Sequence, residues 1–125
     1  MIWVIVIKLI KTTVPEGRDV IEFLEDEIKR LGLRSGTITG IGGLEEAVIG
    51  VYDGEKYHEI KISPRQPFII EVGSLLGNYG YVGNRLRIHI HVVLATYTGE
   101  GYRVYAGHLI RSRVKPFVEL GIYEQ

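Results

Sequence analysis

The chain has 125 residues, 46% of them hydrophobic, and its 15 Lys and Arg residues balance 15 Asp and Glu residues. These values predict a single globular domain over residues 1–125, without the overall basic charge that accompanies most nucleic-acid binding. No cysteine is present, so disulfides, thiolate ligands and cysteine nucleophiles are excluded. No apolar run approaches the roughly 20 residues that span a bilayer, and the N-terminus lacks the features of a signal peptide. We therefore expect a cytoplasmic protein that has no membrane partner.

The N-terminal segment predicts a strand followed by one amphipathic helix. Residues 2–12 are rich in Val and Ile, which is typical of a buried strand. A helix over about 16–31 is expected to open after Pro15 and Gly17 and to end at Gly32. Its apolar face is formed by residues at helical spacing, namely Val20, Ile21, Leu24, Ile28 and Leu31.

The rest of the chain predicts strands. They are expected at 34–40, 45–53, 56–62, 68–76, 85–97, 102–114 and 117–123. Asp53-Gly54 is a hairpin signal, a loop is expected at Gly77, Gly80 and Gly83, and Pro116 is expected to interrupt the last two strands. One helix against a largely antiparallel β-sheet is an α+β architecture.

The glycine-rich segment 39–43 superficially suggests a phosphate-binding loop. No clear helical pattern follows it, and no Gly-Lys-Ser/Thr sequence is present. Turns that require positive φ, or a close approach of two backbones, account for these glycines better.

Two histidines lie on the predicted strand 85–97. Side chains alternate between the two faces of a strand, so Leu86, Ile88, Ile90, Val92 and Leu94 form an apolar face. His89 and His91 lie together on the opposite face, beside Arg85 and Arg87. These histidines therefore point away from the expected core.

A hairpin brings a third histidine to this face. Gly99 occupies the first central position of a two-residue turn with Glu100, as a type II′ turn requires. This register places His91 opposite His108, and directly opposed residues share a face. A slip of one residue would move His108 to the other face.

Three convergent imidazoles are typical of a divalent-metal site that keeps a position open for water or substrate. The alternative is three surface histidines making ordinary hydrogen bonds, and the residues alone leave both interpretations open. His58 has no predicted partner and is expected to be an ordinary surface residue. Glu71 is a charge within an apolar run; it either assists the site or faces solvent at an edge.

Five short motifs, in this order and spacing, resemble the plants-and-prokaryotes-conserved (PPC) domain family. They are Thr39-Gly-Ile-Gly-Gly-Leu44, Gly50-Val-Tyr-Asp53, Glu71-Val-Gly-Ser-Leu-Leu-Gly-Asn78, His89-Ile-His-Val-Val-Leu-Ala95 and Ala106-Gly-His-Leu109. The resemblance runs across nearly the whole chain. The family's frequent Gly-Gly-His-Leu reads Ala106-Gly-His-Leu109 here, which leaves the histidine in place.

The resemblance implies an α+β fold, a homotrimer and kinship with acetolactate decarboxylase-like proteins, some of which hold zinc through histidines. The family's histidine positions match His89, His91 and His108, so zinc is the expected metal. Plant relatives contact DNA through a separate AT-hook peptide, whose Arg-Gly-Arg-Pro core is absent here.

Two functions therefore compete. The first is a trimeric protein with a metal or small-ligand site, which could be an enzyme. The second is a DNA-associated assembly module without chemistry of its own. A local basic patch could support the second, formed by Arg85, Arg87, Arg103, Arg111, Arg113 and Lys115. The residues name neither a substrate nor a fourth metal ligand.

Overall fold

The computed structural model describes residues 1–3 and 7–125, which contain one helix and six strands. The elements are β1 (Lys8–Pro15), α1 (Val20–Leu31), β2 (Gly36–Tyr52), β3 (Tyr57–Ile62), β4 (Ile70–Val82), β5 (Arg85–Tyr97) and β6 (Tyr102–Glu124). Every strand pairing is antiparallel. The predicted α+β architecture with one helix and a largely antiparallel sheet is confirmed.

The two longest strands, β2 and β6, pair along most of their lengths. The β4–β5 hairpin joins them, because β4 pairs with the first half of β2 and β5 pairs with the first half of β6. Strands β2, β4, β5 and β6 therefore form a closed ring. β1 extends the sheet beside the second half of β6, and β3 extends it beside the second half of β2.

The core is formed by inward-facing strand residues and by one face of α1. The helix packs against β6 and β5 and buries Val20, Leu24 and Ile28. Among the strand residues, Ile38, Ile49, Ile90 and Leu94 are fully buried. Among the described residues, none of the helical structure has the length and hydropathy that a membrane crossing needs.

The helix begins four residues later than expected, at Val20. Pro15 belongs to β1, and Gly17 has a positive φ of 89° in the connecting turn. Asp19 is the N-cap: its carboxylate accepts the N–H of Glu22 at 2.9 Å and the N–H of Ser112 at 2.7 Å. The second bond joins the start of the helix to β6. Because Asp is a preferred N-cap residue, Asp19 sets the start of the helix at Val20. The end at Gly32, in the left-handed conformation, is confirmed.

The first strand lies further along the chain than expected. β1 covers Lys8–Pro15, whereas residues 1–3 and Ile7 have no regular structure. The part of the prediction that falls on residues 4–6 lies outside the described residues. Pairing decides the observed bounds, because β6 offers β1 partners from Phe117 to Glu124.

Several of the glycines expected to break strands lie inside them instead. β2 runs without a break from Gly36 to Tyr52, with an irregularity between Gly40 and Gly42. β4 continues to Val82, so the loop expected at Gly77 and Gly80 is wrong, whereas Gly83, with a φ of 65°, lies in the turn between β4 and β5 as expected. A Cβ at Gly77 would lie 2.1 Å from the His89 carbonyl oxygen. That glycine permits a close approach of β5, rather than a turn.

Pro116 does not interrupt β6, which runs from Tyr102 to Glu124. Its pairing with β2 shifts register between Gly42 and Leu44, whose partners are Val118 and Val114. Pro116 lies within this shift, where it is not a ladder partner of β2 and its missing N–H costs no ladder hydrogen bond.

Candidate metal centre

The alternation of β5 sets the direction of the first two histidines. Ile90, Val92 and Leu94 are buried on the inner face, and Leu86 and Ile88 are half-buried beside them. His89 and His91 are exposed on the outer face. The predicted assignment of the two faces is confirmed.

The β5–β6 hairpin places His108 beside them. His91 pairs with His108 and Tyr97 with Tyr102, and the turn is closed by the N–H of Thr98, which donates to the Gly101 carbonyl at 3.2 Å. Gly99 has the positive φ, 96°, that the first central position of the turn requires. The register predicted from the turn is confirmed, and all three imidazoles lie on one face.

The three rings form a compact triangle. The ring centroid of His89 is 4.9 Å from each of the other two, and those of His91 and His108 are 5.6 Å apart. One nitrogen from each ring lies within 4.8 Å of the others, and the Nε2 atoms of His89 and His91 are 3.1 Å apart. Three nitrogens at 2.0–2.1 Å from one tetrahedral zinc would be roughly 3.3 Å apart. The 3.1 Å between the Nε2 atoms of His89 and His91 is close to this value.

His108 carries an unsatisfied nitrogen. It is half-buried, and its Nδ1 is shielded from solvent without a hydrogen-bond partner. Burial lowers the pKa of His108 below its ordinary value, and the nearby His89 and His91 lower it further. A buried polar atom without a partner costs about 1–3 kcal/mol. The neutral imidazole that results is the form that binds metals.

Residues from three further strands, β2, β3 and β4, lie around the triangle. On one side, Leu76 and Asn78 of β4 lie opposite His91 and His89, and they line an open cavity of about 400 Å³ with Thr37. On the other side, the ring of Tyr57 in β3 lies 6.0 Å from that of His108. Sequence reasoning missed Tyr57. Gly50, in the interior of the intervening strand, signals a close approach at that position but does not identify Tyr57.

The other two candidate residues lie apart from this group. His58 is exposed, as predicted, but it does have a partner, because its Nε2 is 2.6 Å from Asp53 Oδ2. This hydrogen bond, and those from the backbone N–H groups of Lys56 and Glu55, lower the pKa of Asp53. Glu71 is exposed and pairs with Ala95, four positions along β5 from His91. Within the described part of the chain, the three histidines alone form a group that could hold a metal.

The chain matches one protein family over almost its whole length. Residues 7–124 match the model of the Plants and Prokaryotes Conserved domain. The chain belongs to this family. A search among curated proteins finds no match.

Solved structures show the same fold for this Plants and Prokaryotes Conserved domain protein. A metal-containing protein from Archaeoglobus fulgidus is 28% identical with a TM-score of 0.80; the match covers 94% of this chain and 79% of that one. A plant- and prokaryote-conserved protein from Pyrococcus horikoshii has the same identity and TM-score, with coverages of 94% and 78%. A Bacteroides thetaiotaomicron protein, provisionally described as DNA-binding, is 19% identical with a TM-score of 0.81 over 93% and 78% of the chains.

The expected kinship with acetolactate decarboxylase-like proteins is confirmed at the level of the fold. A Staphylococcus aureus protein of unknown function, described as similar to alpha-acetolactate decarboxylase, is 15% identical with a TM-score of 0.59. The match covers 92% of this Plants and Prokaryotes Conserved domain protein and 51% of that chain.

The basic residues of this Plants and Prokaryotes Conserved domain protein do not form one uniform patch. Arg111 lies 3.8 Å from Glu59. Arg113 lies 3.6 Å from Glu45 and 3.5 Å from Glu46. Arg85 and Arg87 lie on β5, on the same face as His89. Carboxylates therefore offset part of the positive charge that the sequence concentrates on β6.

Proposed function

We propose that this chain binds one divalent metal ion through His89, His91 and His108. The observation that carries the proposal is the convergence of one nitrogen from each imidazole within 4.8 Å, on two adjacent strands. The unpartnered Nδ1 of His108 supports it, since a cation or its bound water could satisfy a nitrogen that the protein leaves without a partner. The metal-containing relative from Archaeoglobus fulgidus, at 28% identity, agrees with it.

Zinc is the metal that this donor set favours. Neutral imidazoles suit zinc, copper, nickel and iron, and cysteine-free three-histidine sites are common for catalytic zinc. Three protein ligands leave a fourth position for water or a substrate oxygen. The proposed function is therefore metal-dependent binding of a small ligand, which could include chemistry on that ligand.

The proposal is tested by measuring metal in protein that was purified without a histidine tag. We expect about one zinc per chain by mass spectrometry of the elements, and the His89→Ala, His91→Ala double variant should retain less than about a tenth of it. His58→Ala is the matched control, since His58 is exposed and lies outside the triangle. A zinc content in the double variant equal to that of the parent would reduce the triangle to a surface cluster.

We also propose that the protein assembles as a homotrimer. The family resemblance supplies the number of copies, and the surface supplies a compatible apolar area. Leu9, Ile41 and Leu76 are exposed and line one open cavity of about 590 Å³. Exposed apolar surface of this kind is typical of obligate interfaces.

The expected cytoplasmic location stays a prediction.

DNA association is the second candidate, favoured by the provisional description of the Bacteroides relative. At 19% identity that likeness carries the fold alone. The balanced charge and the carboxylates beside Arg111 and Arg113 argue for weak binding by this chain. Submicromolar binding of duplex DNA at physiological salt would favour this candidate, because nonspecific binding is typically weaker.

A further inference from the structure

Tyr57 reaches the histidine triangle from a strand that does not adjoin β6. Strand β2 lies between β3 and β6, and Gly50 of β2 pairs with His108 on one side and with Glu59 on the other. A Cβ at Gly50 would lie 3.4 Å from Cδ1 of Tyr57. The Tyr57 ring therefore crosses the strand where a side chain is missing, and its centroid lies 6.0 Å from that of His108.

The ring of Tyr57 packs against that of Tyr52. Its centroid is 5.0 Å from that of Tyr52, with the planes tilted by 44°. Tyr52 is fixed in turn, because its hydroxyl donates to the Gly54 carbonyl at 2.9 Å. Tyr57 still exposes 62% of its surface. An aromatic face that is fixed by its neighbours and open to solvent costs little ordering entropy when a ligand packs on it.

We propose that Tyr57 is a specificity-determining residue of this site and selects ligands that join a planar ring to a metal-binding oxygen group. The inference rests on the proposed metal site. Aromatic rings attract one another at centroid separations of 4.5–7 Å, so a ring carried by a ligand beside His108 would lie within reach of Tyr57. The Tyr57 ring neighbours both Tyr52 and His108, and a planar ligand beside His108 would add one more ring to this group.

The test uses cobalt in place of zinc, because the visible absorption of bound cobalt reports both metal loading and ligand binding. Acetohydroxamate and benzohydroxamate carry the same metal-binding group, and only the second carries a ring. We expect the parent to bind benzohydroxamate about three- to tenfold more tightly, relative to acetohydroxamate, than the Tyr57→Ala variant does. Tyr57→Phe should keep the parental ratio, since the ring rather than the hydroxyl makes the contact.

Two further variants test whether the position of the Tyr57 ring matters and whether the effect is specific to this tyrosine. Gly50→Val keeps Tyr57 but adds two methyl groups beyond a Cβ that would already lie 3.4 Å from Tyr57 Cδ1 and 3.3 Å from Ile110 Cδ1; this variant should displace the ring and lower the ratio. Tyr102→Ala is the matched control, because Tyr102 is 61% exposed on β6 and pairs with Tyr97, away from the triangle. It should leave the ratio unchanged.

The outcomes distinguish the two proposals. A parent that takes up no cobalt overturns both the metal site and the role of Tyr57. A parent that binds cobalt, but whose ratio for the two hydroxamates equals that of Tyr57→Ala, retains the metal site and overturns the specificity role.

Discussion

At the scale of single residues, His108 differs from the two histidines beside it. His89 and His91 are exposed, whereas His108 is half-buried with an unpartnered nitrogen. Protonation of His108 would place a charge in a partly desolvated position next to two other imidazoles. The pKa of His108 is accordingly lowered, first by burial and then by His89 and His91.

This shift predicts how the stability of the metal-free protein depends on pH. Below the ordinary histidine pKa of about 6.5, the unfolded chain takes up a proton that the folded chain takes up less readily. The free energy of unfolding should therefore be highest above this pH. It should decrease as the pH drops towards the lowered pKa of His108 in the folded protein. Thermal melting of chelator-treated protein between pH 7.5 and 5 measures this, and His108→Gln should lose less stability over that interval. An equal loss in both proteins would contradict the assignment to His108.

The same acidification should release metal, because protonated imidazoles do not bind it. The two effects are separable, since the first is measured without metal.

At the scale of elements, the sequence predicted what depends on local chemistry. Alternation assigned both faces of β5, and Gly99 and Asp53-Gly54 marked the β5–β6 and β2–β3 hairpins. The predictions that failed were those that assigned breaks between strands to glycines. A sequence shows that a side chain is missing, but not whether the reason is a positive φ or a neighbouring backbone. The oxygen that excludes a side chain at Gly77 belongs to His89 on another strand, so its identity depends on the strand pairing.

Gly77 should therefore affect the site through the spacing of β4 and β5. Gly77→Ala would bring a Cβ within 2.1 Å of the His89 carbonyl oxygen and 2.7 Å of Ile90 Cδ1. We expect it to destabilise the fold by about 1–3 kcal/mol, as overpacking does, and to weaken metal binding by moving His89. Denaturant unfolding and zinc titration measure the two effects.

Gly80→Ala on the same strand is the control, because its added Cβ would meet only Ser35 Cβ, at 3.8 Å. If Gly77→Ala behaved like Gly80→Ala, the strands could adjust their spacing at no cost, and the glycine would not be required.

At the scale of the whole molecule, the site depends on a strand order that no local pattern specifies. His89, His91 and His108 could be placed from one hairpin, because their strands are consecutive. Tyr57 could not, since its approach to His108 requires β2 to lie between β3 and β6 with Gly50 at the crossing point. The outer surface of the sheet also carries exposed apolar side chains, among them Leu9 of β1, Ile41 of β2 and Leu76 of β4. The helix packs against β6 and β5 and lines no part of the cavity formed by these three residues.

This exposed apolar surface leads to the prediction for the assembly. Light scattering of the protein at micromolar concentration should give three times the chain mass of 14.1 kDa. Ile41 is 57% exposed and lines the cavity shared with Leu9 and Leu76, so Ile41→Glu should lower the measured mass because a buried, unpaired carboxylate opposes association. Val82→Glu is the control: Val82 is 65% exposed at the end of β4 and lies outside that cavity. A parent with the mass of one chain would contradict the trimer, whereas a trimeric parent that Ile41→Glu leaves intact would place the interface on another face.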